Sequence, residues 1–263
     1  MTPQDEAPIL AIETSTRQGT IALRHEGRLR QRALPPSARR HAQTLAVAVR
    51  DLLTDCRLHP RQIPLVAVGI GPGSFTGLRI GVMFAKTWAY AVAGRVIGVP
   101  TFWSVAAHCA EETDRLTVIA DAQRGELYTQ TYRRPSRPTA GGEAIRCDIC
   151  GAPPGWQAEA PLRIVPLDEW LANRAAGEAI GGPALPRVLH HLPGYCRPLD
   201  PQAAHPDAAG IAGIAGWLAD RGQFADLWTL EPLYVRRSAA EEKAAAADSH
   251  SSRSTAGESS DER

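Results

Sequence analysis

The chain is predicted to have an α/β fold, and two observations lead to this prediction. Over residues 9–99, three short strands are followed by a helix, a buried strand, a second helix and another strand. A dinucleotide-binding domain would instead place a helix directly after its first strand. A strand and polar turn near residue 116 then repeat the pattern found at residue 9. The order is that of a ribonuclease H-like unit, and two such subdomains give an actin-like fold.

The opening segments are assigned from apolar runs that are separated by polar turns. Residues 9–12, 20–23 and 28–34 predict three strands of an antiparallel meander. A helix is predicted over residues 41–55 because apolar side chains recur on one face, at Leu45, Val49, Leu52 and Leu53. The apolar run at residues 65–70 predicts a buried central strand.

A glycine-rich turn follows the central strand. Gly71-Pro72-Gly73 predicts a sharp turn, Ser74 can cap the next helix, and that helix extends to about residue 93. The first amides of such a helix attract phosphate. A P-loop does not fit, because no Lys-Ser or Lys-Thr comes directly after the glycines. A dinucleotide fingerprint does not fit either, because Gly71, Gly73 and Gly77 are spaced by one residue too many and no Asp or Glu lies between Gly71 and Ala110. The alternative is a turn that is needed only for packing.

Small residues recur along the same helix at Gly77, Gly81, Ala85 and Ala89. Two glycines inside a helix cost about 1 kcal/mol each relative to alanine, so we expect another helix to approach closely along this stripe. The apolar face of the first helix would extend the same contact. The alternative is that both helix faces only cover the sheet.

The second half is assigned in the same way. Residues 116–120 and 127–132 predict a hairpin in which Asp121, Arg124 and Gly125 echo Glu13, Arg17 and Gly19. The later predictions are a strand at 163–165, a helix at 167–174, a glycine turn at 179–184 and a helix at 203–221. We divide the chain into residues 1–105, residues 106–237 and a tail, 238–263. The tail is expected to be disordered because it has almost no large apolar side chains.

Composition limits the class of protein. Of 263 residues, 44% are hydrophobic, and the formal net charge is +1, so a sizeable core is expected and no global field would recruit nucleic acid. The absence of an apolar signal segment and of a membrane-length apolar run predicts a cytoplasmic protein without membrane contact. The five scattered cysteines do not predict disulfides. Cys147 and Cys150 are interpreted as reduced thiols in a surface loop or, with two further ligands, as a zinc site.

Two acidic residues, Glu13 and Asp121, end the first strands of the two predicted hairpins. Acids in these positions can hold a magnesium-bound phosphate; the alternative is that they cap turns and pair with Arg17 and Arg124. No G-x-S-x-G nucleophile elbow is present, and we expect no catalytic residue and no metal. The residues predicted for nucleotide binding are Glu13, Ser15, Gly71, Gly73, Ser74, Thr76, Asp121 and Arg124.

The run Gly71-Pro72-Gly73-Ser74-Phe75-Thr76-Gly77-Leu78-Arg79-Ile80-Gly81 resembles the signature of the TsaB (YeaZ) family. The resemblance covers residues 9–243, although residues 135–206 match poorly and Glu13 stands where the family usually has aspartate. It implies a non-catalytic subunit of the bacterial complex that installs N6-threonylcarbamoyl on the adenosine next to the tRNA anticodon. The catalytic paralogue, TsaD, carries an H-x-x-x-H metal pair that is absent at residues 100–105 here, so the resemblance implies no catalytic iron or zinc.

The resemblance also implies partners. TsaB proteins form a helix bundle with TsaD or with a second copy of TsaB, a TsaE ATPase completes the set, and tRNA is reached through the complex. No cofactor is expected, apart from ATP or ADP at an interface of the complex. The residues predicted to bind the partner are His41, Leu45, Val49, Leu52, Gly77, Gly81 and Ala85. The alternative is a stand-alone actin-like nucleotide-binding phosphotransferase or a metal-dependent hydrolase.

Overall fold

The structure is a computed structural model that describes residues 7–35, 38–109, 113–135, 153–200 and 204–235, with the backbone alone at residues 38–41. The predicted tail, residues 238–263, and the Cys147/Cys150 pair lie outside the described residues. The described residues up to Leu233 belong to one compact unit, and Tyr234 and Val235 belong to a second. Everything below concerns the first unit.

The first sheet has the strand order that the sequence predicts for a ribonuclease H-like unit. Its strands β1, β2 and β3 are antiparallel neighbours, and β4 and β5 run parallel to β1, which gives the order β3-β2-β1-β4-β5. Leu10 pairs with Val66, which in turn pairs with Val96. These strands are β1 (Ile9–Glu13), β2 (Thr20–His25), β3 (Arg28–Ala33), β4 (Leu65–Gly71) and β5 (Arg95–Pro100).

Two long helices, α1 (Ala38–Cys56) and α2 (Phe75–Val92), pack on this sheet and on each other. The apolar face predicted for α1 is buried among residues of β1, β2 and β4. Each side chain on that face is at most 3% exposed, so full burial contributes about 1.5–3 kcal/mol for each leucine or valine. These helices therefore form a core on one face of the sheet.

The second sheet repeats the same order, β9-β7-β6-β10-β11, and the short strand β8 also pairs with β7. The hairpin β6–β7 is antiparallel and β10 is parallel to β6. The predicted glycine turn at residues 179–184 is wrong in its first half, because residues 179–181 form β10. The strands are β6 (Arg115–Asp121), β7 (Glu126–Arg133), β8 (Gln157–Ala158), β9 (Arg163–Pro166), β10 (Ala179–Gly181) and β11 (Arg197–Pro198).

Two helices join the sheets. Helix α3 (Thr101–Ala107) follows β5 directly and contacts β6, while α6 (Ala208–Ala219) lies on the first sheet and packs against α3. Phe102 and Trp103 of α3 share one apolar cluster with Ile211 of α6. The predicted helix at 203–221 begins later than expected because Asp207 caps α6 through the Gly210 amide at 2.8 Å.

Two short helices, α4 (Leu167–Ala172) and α5 (Leu185–Val188), complete a third apolar cluster against the second sheet. Helix α3 lies across the predicted division between residues 105 and 106, and that division stays a prediction. Among the described residues, no helix is long and apolar enough to cross a membrane.

Candidate functional site

The glycine turn after β4 lies at the carboxyl end of three parallel strands. Gly71 has a φ of +116°, a conformation open to glycine, and its amide donates to the Thr101 hydroxyl at 3.1 Å. The Ser74 hydroxyl caps α2 by accepting from the Gly77 amide at 3.3 Å. Thr76 is exposed in the first turn of α2. The predicted turn, cap and helix start are therefore all present.

The loop after β1 packs directly on this turn. The Ser74 amide donates to the Ser15 carbonyl at 2.7 Å, and the Thr14 hydroxyl donates to the Gly77 carbonyl at 2.8 Å. A Cβ atom on Gly73 would lie 2.6 Å from Ser15. The Gly73 side of the turn is therefore filled by the chain itself, which agrees with the interpretation that these glycines serve packing.

Glu13 is fully buried at the end of β1. Its Oε1 accepts from the Ser15 amide at 2.6 Å and its Oε2 accepts from the Thr101 hydroxyl at 3.3 Å. Burial raises the pKa of Glu13, and the hydrogen bonds from Ser15 and Thr101 oppose that shift. A Cβ on Gly69 would collide with the Glu13 carboxyl. A buried carboxyl that favours the neutral form is a poor ligand for Mg²⁺, which prefers ionised oxygens and bound water.

Asp121, the counterpart of Glu13, has a different environment. It is exposed at the end of β6, and its Oδ1 accepts from the Gln123 amide and from Arg187, both at 2.9 Å. Arg124 is exposed in the same turn with a φ of +53°. The two predicted acids therefore share a topological position but not an environment, since Asp121 is exposed and contacts Arg187.

Sequence reasoning missed the two threonines that complete this site. Thr14 lies 63 positions from its partner Gly77, and Thr101 lies 88 positions from Glu13. The available signal was topological, because β1, β4 and β5 are parallel and their carboxyl ends must meet at one edge. A polar residue directly after each of these strands was therefore a candidate neighbour.

The residues predicted to bind a partner pack inside the chain. Leu45, Val49 and Leu52 are each 1% exposed, and Ala85 is 0% exposed. A Cβ on Gly77 would collide with the Thr14 carbonyl, and one on Gly81 would collide with the Thr14 hydroxyl. The stripe was predicted to receive another helix, and that prediction is wrong for the described residues, because the loop after β1 makes the close approach at Gly77 and Gly81. His41 lies in α1, and its side chain is outside the described part of the chain.

Metal-ligand geometry is not found in the described ranges, where no group of three His, Cys, Asp or Glu side chains is close enough to hold an ion. In the same ranges, Cys56, Cys109 and Cys196 form no disulfide.

Several known proteins are similar to this chain in sequence or in structure. A family model described as TsaD, tRNA N6-adenosine threonylcarbamoyltransferase, matches residues 34–146. TsaB of Bacillus subtilis is 35% identical over 125 residues, which cover 48% of this chain and 55% of that protein. TsaB of Escherichia coli is 36% identical over 138 residues, which cover 51% and 59%. YeaZ from Pseudomonas aeruginosa superposes with a TM-score of 0.70. In both sequence and fold, the chain is similar to proteins of the TsaB (YeaZ) family.

The extent of the likeness differs between the comparisons. The alignments span little more than half the length of the two TsaB proteins. A Mycobacterium tuberculosis protein described as uncharacterised is 29% identical over 233 residues, which cover 87% of this chain and 92% of that protein. The YeaZ structure is 24% identical and covers 87% of this chain and 100% of its own. That superposition supports the actin-like fold of two ribonuclease H-like subdomains.

Proposed function

We propose that this protein is a subunit without activity of its own in a complex that installs threonylcarbamoyl on the adenosine next to the tRNA anticodon. It would act by docking on a TsaD-like catalytic paralogue. Similarity to TsaB of two bacteria supports the pathway, and the match of residues 34–146 to the TsaD model supports a shared ancestry with the enzyme. The observation that carries the docking step is an exposed apolar surface on α2.

This surface, the α2 patch, consists of Met83, Tyr90 and Trp228. Their exposures of 64%, 69% and 73% are the highest of the large apolar side chains in the described residues. The Tyr90 and Trp228 rings pack edge to face at 6.1 Å. A clustered, exposed apolar surface of this kind marks an interaction site more often than a solvent face.

The α2 patch is held rigidly. The Lys86 ammonium donates to the carbonyls of Trp228 and Leu230, at 3.0 and 3.1 Å, and so fastens the segment that carries Trp228 to the helix. The opposite face of α2, including Val82, is buried against the sheet. Met83 and Tyr90 are separated by seven residues and lie on one side of the helix. This arrangement suits the helix-to-helix contact that the family resemblance implies. The proposed contact on α2 is therefore made by the exposed Met83 and Tyr90 and not by the buried small-residue stripe.

The proposed complex also includes an ATPase, tRNA and a bound nucleotide. A TsaE-like ATPase and tRNA would join through the TsaD-like partner, and a cytoplasmic location follows from that chemistry. ATP or ADP would bind at an interface of the complex, because Glu13 in this chain is buried and favours the neutral form. A homodimer would use the α2 patch of both copies.

Mixing the purified chain with its TsaD-like partner and measuring the assembled mass by light scattering tests the proposal. Met83→Glu combined with Tyr90→Asp should abolish assembly, because it places two charges in a desolvated contact. Leu189→Asp is the matched control, since Leu189 is 42% exposed on the other half of the chain. All three proteins should show the same thermal unfolding midpoint, since each substitution is on the surface.

Each contrary result has a distinct meaning. If the double variant assembles like the wild type, the α2 patch is not the docking surface. If the wild type stays alone beside its partner, the proposed function is wrong. Saturable ATP turnover by the purified chain would favour the stand-alone phosphotransferase.

A further inference from the structure

A strongly basic segment stands apart from the nearly neutral chain. Residues 24–41 contain six arginines and one acidic residue, Glu26, whereas the whole chain has a formal net charge of +1. The end of β2, the whole of β3 and the start of α1 therefore carry a local positive charge that the overall balance hides. Local clustering of this kind, rather than net charge, determines whether a surface attracts a polyanion.

The structure places three of these arginines in a row. Arg28, Arg30 and Arg32 alternate along β3, the last strand in the order of the first sheet. Because side chains alternate along a strand, the three point to the same side of the sheet. Gln31 points to the other side, where it contacts Asp207 at 3.2 Å and the Ala209 amide at 2.7 Å.

Two of the three arginines are available for a ligand. Arg32 forms an ion pair with Asp55 of α1. The Arg28 and Arg30 side chains are exposed and make no hydrogen bond or ion pair with any described residue. Glu26, in the turn before the strand, lies 3.6 Å from His25. The row therefore keeps an uncompensated positive charge along an open strand.

Protection of a sheet edge is the simplest alternative, since charged side chains prevent edge-to-edge pairing of strands. That purpose is served by either sign of charge and by lysine as well as arginine. A row of three positive charges, all carried by arginine at every second position, is more than edge protection requires. The strand rise of about 3.3 Å per residue places neighbouring members about 6.6 Å apart, a spacing comparable with successive phosphates of an RNA strand. Arginine also binds phosphate through two parallel hydrogen bonds.

We propose that this row, called the arginine strand and defined as Arg28, Arg30 and Arg32, contacts the phosphate backbone of the tRNA in the assembled complex through Arg28 and Arg30, while Arg32 stays paired with Asp55. The inference rests on the proposed function, because the complex brings the RNA to the chain. It gives this subunit a direct share in RNA binding. Backbone contacts orient the RNA and do not read its sequence, so the arginine strand would position the tRNA for the catalytic partner.

The test uses the reconstituted complex and an unmodified tRNA transcript with an adenosine next to its anticodon. Arg28→Ala combined with Arg30→Ala should weaken binding roughly tenfold near 0.1 M salt and reduce the slope of log affinity against log salt by about 2. Arg61→Ala combined with Arg197→Ala removes the same charge from two exposed positions elsewhere and should leave binding unchanged. Arg28→Lys with Arg30→Lys should keep most of the salt slope. Arg28→Glu with Arg30→Glu still protects the edge but should weaken binding further.

The outcomes separate the two proposals because the assembled mass is measured before RNA is added. If the alanine variant assembles normally and binds the transcript like the wild type, the arginine strand does not contact RNA and the docking proposal stands. If the alanine variant fails to assemble, the strand contacts protein and the inference is wrong. A wild-type chain that does not assemble overturns both proposals.

Discussion

Replacing Glu13 by glutamine should stabilise the protein at neutral pH, although it removes a carboxyl group from a hydrogen-bonded site. Glutamine has the same size, its carbonyl can accept from the Ser15 amide, and its amide can donate to the Thr101 hydroxyl. The prediction follows from burial, which raises the pKa of Glu13. An ionised carboxylate at 0% exposure is destabilising, whereas a neutral amide avoids that penalty.

The size of the effect depends on pH. Between the unfolded pKa near 4.5 and the raised folded pKa, the native state holds more protons than the unfolded state. Wild-type stability therefore falls as pH rises through this window, by up to about 1.4 kcal/mol per pH unit. The glutamine variant does not titrate, so its advantage should grow over the same window. Below pH 4.5 the two proteins should agree within about 1 kcal/mol, since both are neutral.

Urea unfolding at a series of pH values from 4 to 8 measures this difference, and other titrating groups cancel between the two proteins. Glu13→Ala is the control for lost contacts. It leaves two buried donors without acceptors and should cost about 2 kcal/mol or more at every pH. A flat difference between wild type and Glu13→Gln across the series would refute the reasoning, because it would mean that Glu13 does not titrate there.

Three further perturbations test the packing. Gly81→Ala should cost about 1–3 kcal/mol in urea unfolding, and removing the Thr14 hydroxyl in the same chain should recover part of it. His108 Nε2 lies 2.7 Å from Asp207, and this hydrogen bond raises the pKa of His108. His108→Ala should therefore cost about 0.5–1 kcal/mol for this partly exposed pair. In urea unfolding, that loss should fade as pH rises through the raised pKa of His108. Glu178→Gln should cost about 3 kcal/mol by calorimetry, because Glu178 is 1% exposed and compensates the buried Arg174 and the partly exposed Arg115.

The strand order was predictable because it depends on local patterns. Apolar runs between polar turns define β1, β2, β4 and β5 of the first sheet, and the 71–81 signature marks the turn into α2. Strand β3 is polar and was predicted only from its place after the Glu26-Gly27 turn. Helix α3 was missed because it has seven residues and follows β5 without a break. The sequence predicts a turn at strand β10 because the strand has only three residues and ends at Gly181-Gly182. Both elements are fixed by long-range packing that periodicity cannot register.

The partner-facing residues were misplaced for a related reason. The stripe at Gly77 and Gly81 correctly predicts a close approach, but a sequence does not tell whether the approaching backbone belongs to the same chain. The structure supplies Thr14 of the β1 loop as that neighbour. A Gly81→Leu substitution would therefore damage the fold itself and would be a poor test of docking. Met83 and Tyr90, which the small-residue argument passed over, are the exposed members of the same helix.

The two halves of the molecule use one topology for different purposes. In an actin-like fold, a nucleotide held between the hairpins needs an ionised acid from each side. Asp121 is exposed and accepts a hydrogen bond from Arg187. Glu13 has become part of the core, where Thr101 and the Ser15 amide satisfy it and burial favours its neutral form. The chain itself therefore fills the space at the end of β1, whereas the end of β6 stays exposed. The chain's remaining means of acting on another molecule are its surfaces, and this asymmetry favours a docking subunit over a stand-alone phosphotransferase.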